Sequence, residues 1–110
     1  MIDMIMELLG HENYIRVLLL VRRRRSLRFS QIQKALDLNP AQVDRALKFL
    51  RKGLWLVPHT VPAPKGRVLV EYRLGKRGEA FLDSFESFRA AAQERRAALG
   101  PSELRELQRL

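Results

Sequence analysis

The chain of 110 residues contains no cysteine. That excludes structural disulfides, thiolate metal sites and redox-sensing thiols, and leaves the compartment open. Histidine is scarce as well, with only His11 and His59. Neither has a second ligand at metal spacing, so no metal and no cofactor is expected. No serine or threonine stands in a histidine-and-carboxylate pattern that would make a nucleophile. There is no glycine-rich phosphate loop, so an enzyme is not expected. Long apolar runs are missing: the longest, Val17 to Val21, falls far short of a bilayer span, and no membrane partner is expected. The first residues carry Asp3, Glu7 and Glu12 with no basic segment, unlike a secretory signal. The expectation is a soluble cytoplasmic protein. No internal repeat or low-complexity linker divides the chain, and its length fits one domain with a modest core.

What is abundant is positive charge, and its placement says more than its total of +9. Residues 1–21 carry Arg16 against Asp3, Glu7 and Glu12, a net of −2. Residues 22–78 carry fifteen lysines and arginines against Asp37, Asp44 and Glu71, a net of +12. Residues 79–110 carry five basic residues against six acidic ones, a net of −1. The excess therefore lies wholly in the middle, which suggests one module facing a polyanion and two ends with another task.

Residues 39–54 are the stretch that the rest serves. Asn39 is a good helix N-cap, Pro40 takes the first helical position, and Gln42 falls where a capping-box side chain reaches back. Leu38 and Val43 are spaced as a hydrophobic staple. Gly53 is placed to end the helix as a left-handed residue. At about 100° per residue, Val43, Leu47, Leu50 and Leu54 share one stripe, and Ala41, Arg45, Lys48 and Lys52 share the opposite one. One face suits a core and the other an anion.

Upstream, Ile2, Ile5, Met6 and Leu9 give a short amphipathic helix stopped by Gly10. A second helix runs from Glu12 or Asn13 to Arg25, with Tyr14, Val17, Leu18 and Val21 on one side. Ile15, Leu19 and Leu20 widen its apolar surface, as in a helix buried on more than one face. Arg22 to Arg25 has two readings, cations complementing the helix dipole or a patch touching phosphate. Leu27 to Phe29 is a strand of one or two pairs. Ser30 and Gln33 form a Ser-x-x-Gln capping box for a helix that turns Ile32, Ala35 and Leu36 inward. With a turn at 37–39, this is a helix-turn-helix layout.

Downstream the period changes to alternation. Trp55, Val57, His59 and Val61 point one way, and Leu56, Pro58 and Thr60 the other. Pro58 restricts this strand to an edge or a bulge. A stiff turn at 62–66 leads to Val68, Val70, Tyr72 and Leu74 on one face, opposite Arg67, Leu69, Glu71 and Arg73. The result is a hairpin with Lys65 and Arg67 at its tip. Gly75 to Gly78 then enters a long helix whose apolar stripe is Phe81, Phe85, Phe88, Ala92 and Leu99. Gly100 and Pro101 break it before a last short helix with Leu104 and Leu107 inward.

These features together resemble the winged-helix transcriptional regulators of the ArsR, MarR and HxlR types, over roughly residues 9–85. Residues 9–18, from Leu9 through Gly10, His11 and Tyr14 to Leu18, resemble the opening helix of those families. Residues 27–32, Leu27 to Ile32, are similar to the strand and helix start of HxlR-type proteins. Residues 46–54, from Ala46 through Leu50 to Leu54, look like the end of their recognition helix. Residues 72–78, Tyr72-Arg73-Leu74-Gly75-Lys76-Arg77-Gly78, resemble the exit from the wing, where those families usually carry Thr or Ser at Gly75. The resemblance implies a mostly α, α+β winged helix-turn-helix with added N- and C-terminal helices. It further implies a homodimeric, sequence-specific binder of double-stranded DNA that regulates transcription, prokaryotic and associated with the nucleoid when bound. Without cysteine, the thiol-based sensing of many such proteins cannot operate, and any small-molecule effector stays open.

Site residues follow from position. Gln42 and Arg45 lie near the N-terminal end of helix 40–52, which meets base edges in this motif, and Ala41 and Lys48 share that face. Arg28, Ser30, Gln31 and the free amides beside them suit a phosphate. Lys65 and Arg67 of the wing 55–74 suit the minor groove or the backbone. Residues 11–78 would form the winged-helix core of a single domain spanning 1–110. Residues 1–10 and 79–110 would dimerise through Ile2, Ile5, Phe81, Phe85, Phe88 and Ala92. Two other functions fit the same residues: a winged helix meeting an acidic protein partner in a larger assembly, or a nonspecific architectural DNA binder.

Overall fold

A computed structural model describes residues 2–97 and 100–109. Six helices and one hairpin follow in the order α1 (Ile2–Leu9), α2 (Glu12–Arg24), α3 (Phe29–Leu36), α4 (Pro40–Lys52), β1 (Leu56–Pro62), β2 (Val68–Leu74), α5 (Lys76–Ala97) and α6 (Pro101–Arg109). Leu99 and the side chains of Ile2, Leu104 and Leu107, which the sequence places on apolar stripes, lie outside the described residues. No helix among the described residues is long and apolar enough to cross a membrane.

Helix α2 is the centre. It packs against α1, α3, α4, α5 and β2, and buries Tyr14, Val17, Leu18 and Val21. Ile15, Leu19 and Leu20 are half-buried around them, as expected of a helix covered on more than one side. Ile32 of α3 and Val43, Ala46, Leu47 and Leu50 of α4 close the core. Trp55, Leu56, Tyr72 and Leu82 seal its far side. Each large aliphatic side chain fully buried here contributes about 1.5–3 kcal/mol.

Helix α4 forms where its caps say. Asn39 Oδ1 accepts from the Gln42 amide at 2.8 Å, and Gln42 Oε1 accepts from the Asn39 amide at 3.0 Å. Its exit differs from the expectation. Gly53 keeps a right-handed backbone, and Leu54 takes the left-handed conformation with φ 61°. The Leu54 amide donates to Arg51 at 3.0 Å and the Trp55 amide to Leu50 at 2.9 Å, closing the last turn. Gly53 is needed for space instead: a Cβ there would lie 2.6 Å from Trp55 Cδ1. Leu54 consequently leaves the buried stripe and is 61% exposed, and Ala46 takes its place in the core.

Helix α3 exits in the same way, with Asp37 left-handed (φ 53°) and the Leu38 amide donating to Gln33 at 3.2 Å. Its start lies two residues ahead of the expected capping box. Arg28 is the N-cap, and its amide donates to Gln31 Oε1 at 2.9 Å, so Ser30 sits inside the first turn. At the start of α2, Asn13 lies one residue inside the helix and its Oδ1 accepts from Arg16 at 3.1 Å. Arg16 also donates to the Leu36 carbonyl at 3.3 Å, tying α2 to the end of α3.

The hairpin pairs Leu56 with Leu74 through Pro62 with Val68. Tyr72 exchanges both backbone bonds with Leu27, at 3.1 and 2.7 Å, so its N–H and C=O point away from β1. Its partner Pro58 therefore sits at a non-hydrogen-bonded pair, as does Pro62 four pairs on, and neither missing N–H breaks the ladder. Lys65 (φ 64°) and Gly66 (φ 71°) turn the tip. Burial fades along the hairpin. Tyr72 is buried, whereas Val70 and Val68 on the same face are exposed, because only the base of the wing lies on the core.

Candidate nucleic-acid interface

One face of α4 is sealed and the other is bare. Opposite the buried Val43, Ala46, Leu47 and Leu50, the residues Ala41, Asp44, Arg45, Lys48, Arg51 and Lys52 are exposed. Lys48 Nζ lies 3.0 Å from Asp44, the i,i+4 pair that the spacing offers. Arg45 has no ion pair or hydrogen bond among the described residues, so its guanidinium projects with all its donors open. Gln42 is half-buried and its side-chain oxygen is held by the cap, leaving its amide N–H groups as donors.

The N-terminal half of α4 adjoins the α1–α2 corner. Gln42 and Arg45 line a hollow with Gly10, His11, Glu12, Asn13 and Tyr14. Behind it three rings stack. His11 lies on Tyr14 (centroids 4.4 Å, 11° between planes), and Tyr14 lies on Phe49 of α4 (4.8 Å, 22°). Phe49, at the edge of the apolar stripe, thus fastens α4 to α2. His11 Nδ1 lies 2.8 Å from the Glu7 carbonyl oxygen, which holds its ring in place. Burial, with the Glu7 charge behind it, pushes the Tyr14 hydroxyl above its ordinary value, while the Arg45 charge pulls the other way. Tyr14 therefore stays neutral beside Arg45 at physiological pH.

The other candidate residues fall in two further groups. Arg28, Ser30 and Gln31 form the start of α3, with Ser30 and Gln31 exposed and Arg28 half-buried. The bridge between Leu27 and Tyr72 sets this helix start beside the base of the wing. Lys65 and Arg67 flank the wing tip, both exposed and without ion pairs among the described residues. The arginine run divides: Arg22 pairs with Asp83 of α5, whereas Arg23, Arg24 and Arg25 are exposed. No group of three histidines, cysteines or carboxylates placed to hold a metal exists among the described residues.

Of the residues expected at a second surface, Ile5 is 37% exposed and Phe88 73%. Ala92 is exposed and Phe85 half-buried. Phe81 packs within the chain, edge-on to Trp55 with centroids 5.9 Å apart. A contact missing from the sequence reading joins α4 to α5. Arg77 Nη1 donates to the Gly53 carbonyl at 2.6 Å, and its guanidinium lies 4.3 Å from the centre of the Trp55 ring. The partners are 24 residues apart in the first of these contacts, and no local pattern links them.

Several solved structures are similar to the chain. The structure of the transcriptional regulator homologue protein from Pyrococcus horikoshii OT3 matches with a TM-score of 0.68 and 25% identity, over 80% of this chain and 86% of that one. The reduced form of the transcriptional regulator YodB from B. subtilis matches with a TM-score of 0.70 and 20% identity, over 84% and 88%. Streptococcus pneumoniae FabT in complex with DNA matches with a TM-score of 0.65 and 17% identity, over 94% and 76%. No family model and no curated protein matches the sequence. The chain has the winged helix-turn-helix fold of transcriptional regulators.

Proposed function

We propose that this chain, with the fold of transcriptional regulators, binds double-stranded DNA sequence-specifically as a homodimer and regulates transcription, in the cytoplasm and on the nucleoid when bound. Helix α4 enters the major groove with Ala41, Arg45 and Lys48 foremost. The start of α3, with Arg28, Ser30 and Gln31, holds a phosphate. Lys65 and Arg67 bring the wing onto the adjacent minor groove or backbone. The observation that carries this reading is the two-sided construction of α4: one face is closed into the core, and the other presents Arg45, exposed and without a partner among the described residues. The net of +12 in residues 22–78 supplies the attraction to phosphate.

The homodimer rests on apolar side chains that stay exposed on the terminal helices, Met6 (63%) and Leu9 (49%) on α1 and Phe88 on α5. A two-fold dimer also matches palindromic half-sites. Within the single domain, residues 11–78 then meet DNA, and residues 1–10 and 79–110 join the copies.

Selection of bound sequences from a random duplex pool tests all of this together. The expected result is a two-fold symmetric sequence bound more tightly than random duplex, with a log–log salt slope of about −0.9 per phosphate neutralised. Salt-dependent binding with no enriched sequence would convert the reading to architectural binding. No binding at low salt would end both DNA readings.

A further inference from the structure

The end of α4 and the start of α5 are fitted together more closely than covering a core requires. Three glycines stand where any side chain would collide: Gly53 under the Trp55 indole, Gly75 against the Leu54 carbonyl oxygen, and Gly78 against the Trp55 carbonyl oxygen. The Gly75 amide also donates to the Trp55 carbonyl at 3.0 Å. Arg77 closes this joint from α5. The last carbonyls of a helix lack intrahelical donors and carry its negative end. Those of Phe49, Leu50 and Arg51 are taken by the Gly53, Trp55 and Leu54 amides. The Gly53 carbonyl receives the Arg77 guanidinium, whose Cζ lies 4.3 Å from the centre of the Trp55 ring and adds a cation–π contact.

We propose that Arg77 is a positioning residue for sequence reading: it fixes the direction of α4 relative to α5, and so the place at which Arg45 is presented. This rests on the DNA-binding reading above. The lever is short but sufficient. Arg45 stands eight residues before Gly53, about 12 Å along the helix axis, so a tilt of about 5° at the joint moves it about 1 Å. Recognition groups must be held within about 0.5 Å to keep directional hydrogen bonds. Phosphate attraction is far more tolerant of such a shift, because it acts over a Debye length of about 8 Å. Loss of the joint therefore weakens selective binding and spares nonspecific binding.

The test uses the full chain with Arg77→Lys, which keeps the charge but not the planar fork, and Arg77→Met, which keeps neither. Trp55 is the chain's one tryptophan, so its emission reports the stack, and circular dichroism selects a temperature at which each variant is folded. Affinities for a selected duplex and a random duplex are then compared. The expected result for Arg77→Lys is random-duplex affinity within about two-fold of wild type and selected-duplex affinity lowered by roughly ten-fold, a spread typical of one lost base contact. Arg77→Met should lose at least as much discrimination. A folded variant that discriminates as well as wild type, or that weakens on both duplexes equally, overturns the proposal alone. Wild-type protein that binds neither duplex overturns the DNA reading and this proposal with it.

Discussion

Gly78→Ala sets two physical effects against each other. Gly78 lies inside α5, where Ala is favoured over Gly by about 0.8–1 kcal/mol. Helix propensity alone therefore predicts a stabilised protein. The structure predicts the reverse. A Cβ at Gly78 would overlap the Trp55 carbonyl oxygen and lie 3.2 Å from both the Trp55 carbonyl carbon and Leu74 Cδ2. The oxygen is backbone, held by the Gly75 amide at 3.0 Å, so it cannot swing aside as a side chain would. It must retreat by on the order of 1 Å to reach van der Waals distance. Forcing one extra carbon into a packed site costs about 1–3 kcal/mol, and here it also pulls at the Arg77–Gly53 bond. With the propensity gain subtracted, the net is a loss of up to about 2 kcal/mol, or up to roughly 10 °C in melting temperature for a chain of this size. Urea denaturation followed by circular dichroism measures it, with Ser87→Ala on the exposed side of the same helix as the control for propensity. Equal or greater stability of Gly78→Ala, with Ser87→Ala also stabilised, would show that the α4–α5 joint is loose and would refute the reasoning.

The remaining predictions use the same structure at other points. Gly75→Ser introduces the residue type that the resembling families usually carry and a better N-cap than glycine, yet its Cβ would overlap the Leu54 carbonyl oxygen. It should destabilise by about 1–3 kcal/mol, and a neutral or stabilising result in the same denaturation assay rules that out. The raised Tyr14 hydroxyl contributes stability that is complete below its ordinary value of 10.0 and is lost as pH rises through the higher folded value. Melting temperatures of wild type should thus fall more steeply than those of Tyr14→Phe above that pH; parallel profiles contradict it. Arg45→Ala should lower affinity for a selected duplex by about 1–3 kcal/mol and relax preference at one base position, whereas Lys65→Ala should weaken selected and random duplexes alike. Equal losses on both duplexes for Arg45→Ala would remove its reading role.

Those features that local chemistry controls were legible in the sequence. The bounds of α4 follow from Asn39, Pro40 and Gln42 within three residues of one another, and the two-residue bond between Leu27 and Tyr72 matches a strand of one or two pairs. The errors are of two kinds, a neighbouring residue taking the expected role and a contact between residues far apart in the chain. Gly53 reads as the left-handed terminator, but its amide still bonds to the Phe49 carbonyl, so the helix runs one residue further and the left-handed turn falls on Leu54. Ser30 reads as a cap, but Arg28 takes that position because Gln31 reaches back to its amide. Alternation marks both wing strands correctly and says nothing of burial, which depends on how far the hairpin extends beyond the core. Arg22 with Asp83, and Arg77 with Gly53 and Trp55, join residues too far apart for any periodicity to pair them. One role that the sequence left open, that of Phe49, became plain only when Tyr14 was placed beneath it.

In the DNA-binding reading proposed above, three side chains on α4 are the candidate base readers, and their present partners rank them. Arg45 makes no bond among the described residues that reading would break. Its bidentate contact with a base would contribute its full value of about 1–3 kcal/mol. Lys48 must leave Asp44, an exposed i,i+4 pair whose loss costs only about 0.3–0.5 kcal/mol, so it remains nearly as available. Gln42 is different. Pairing with adenine needs both its donor and its acceptor, and the acceptor is the oxygen that caps the Asn39 amide. Breaking that capping-box hydrogen bond costs about 0.5–1.5 kcal/mol, a large share of the gain from the base. Gln42, in the first turn of α4, is therefore poorly placed for the reading role proposed for this helix. In the DNA-binding reading proposed above, discrimination would therefore rest mainly on Arg45, one turn further in and free of such a bond.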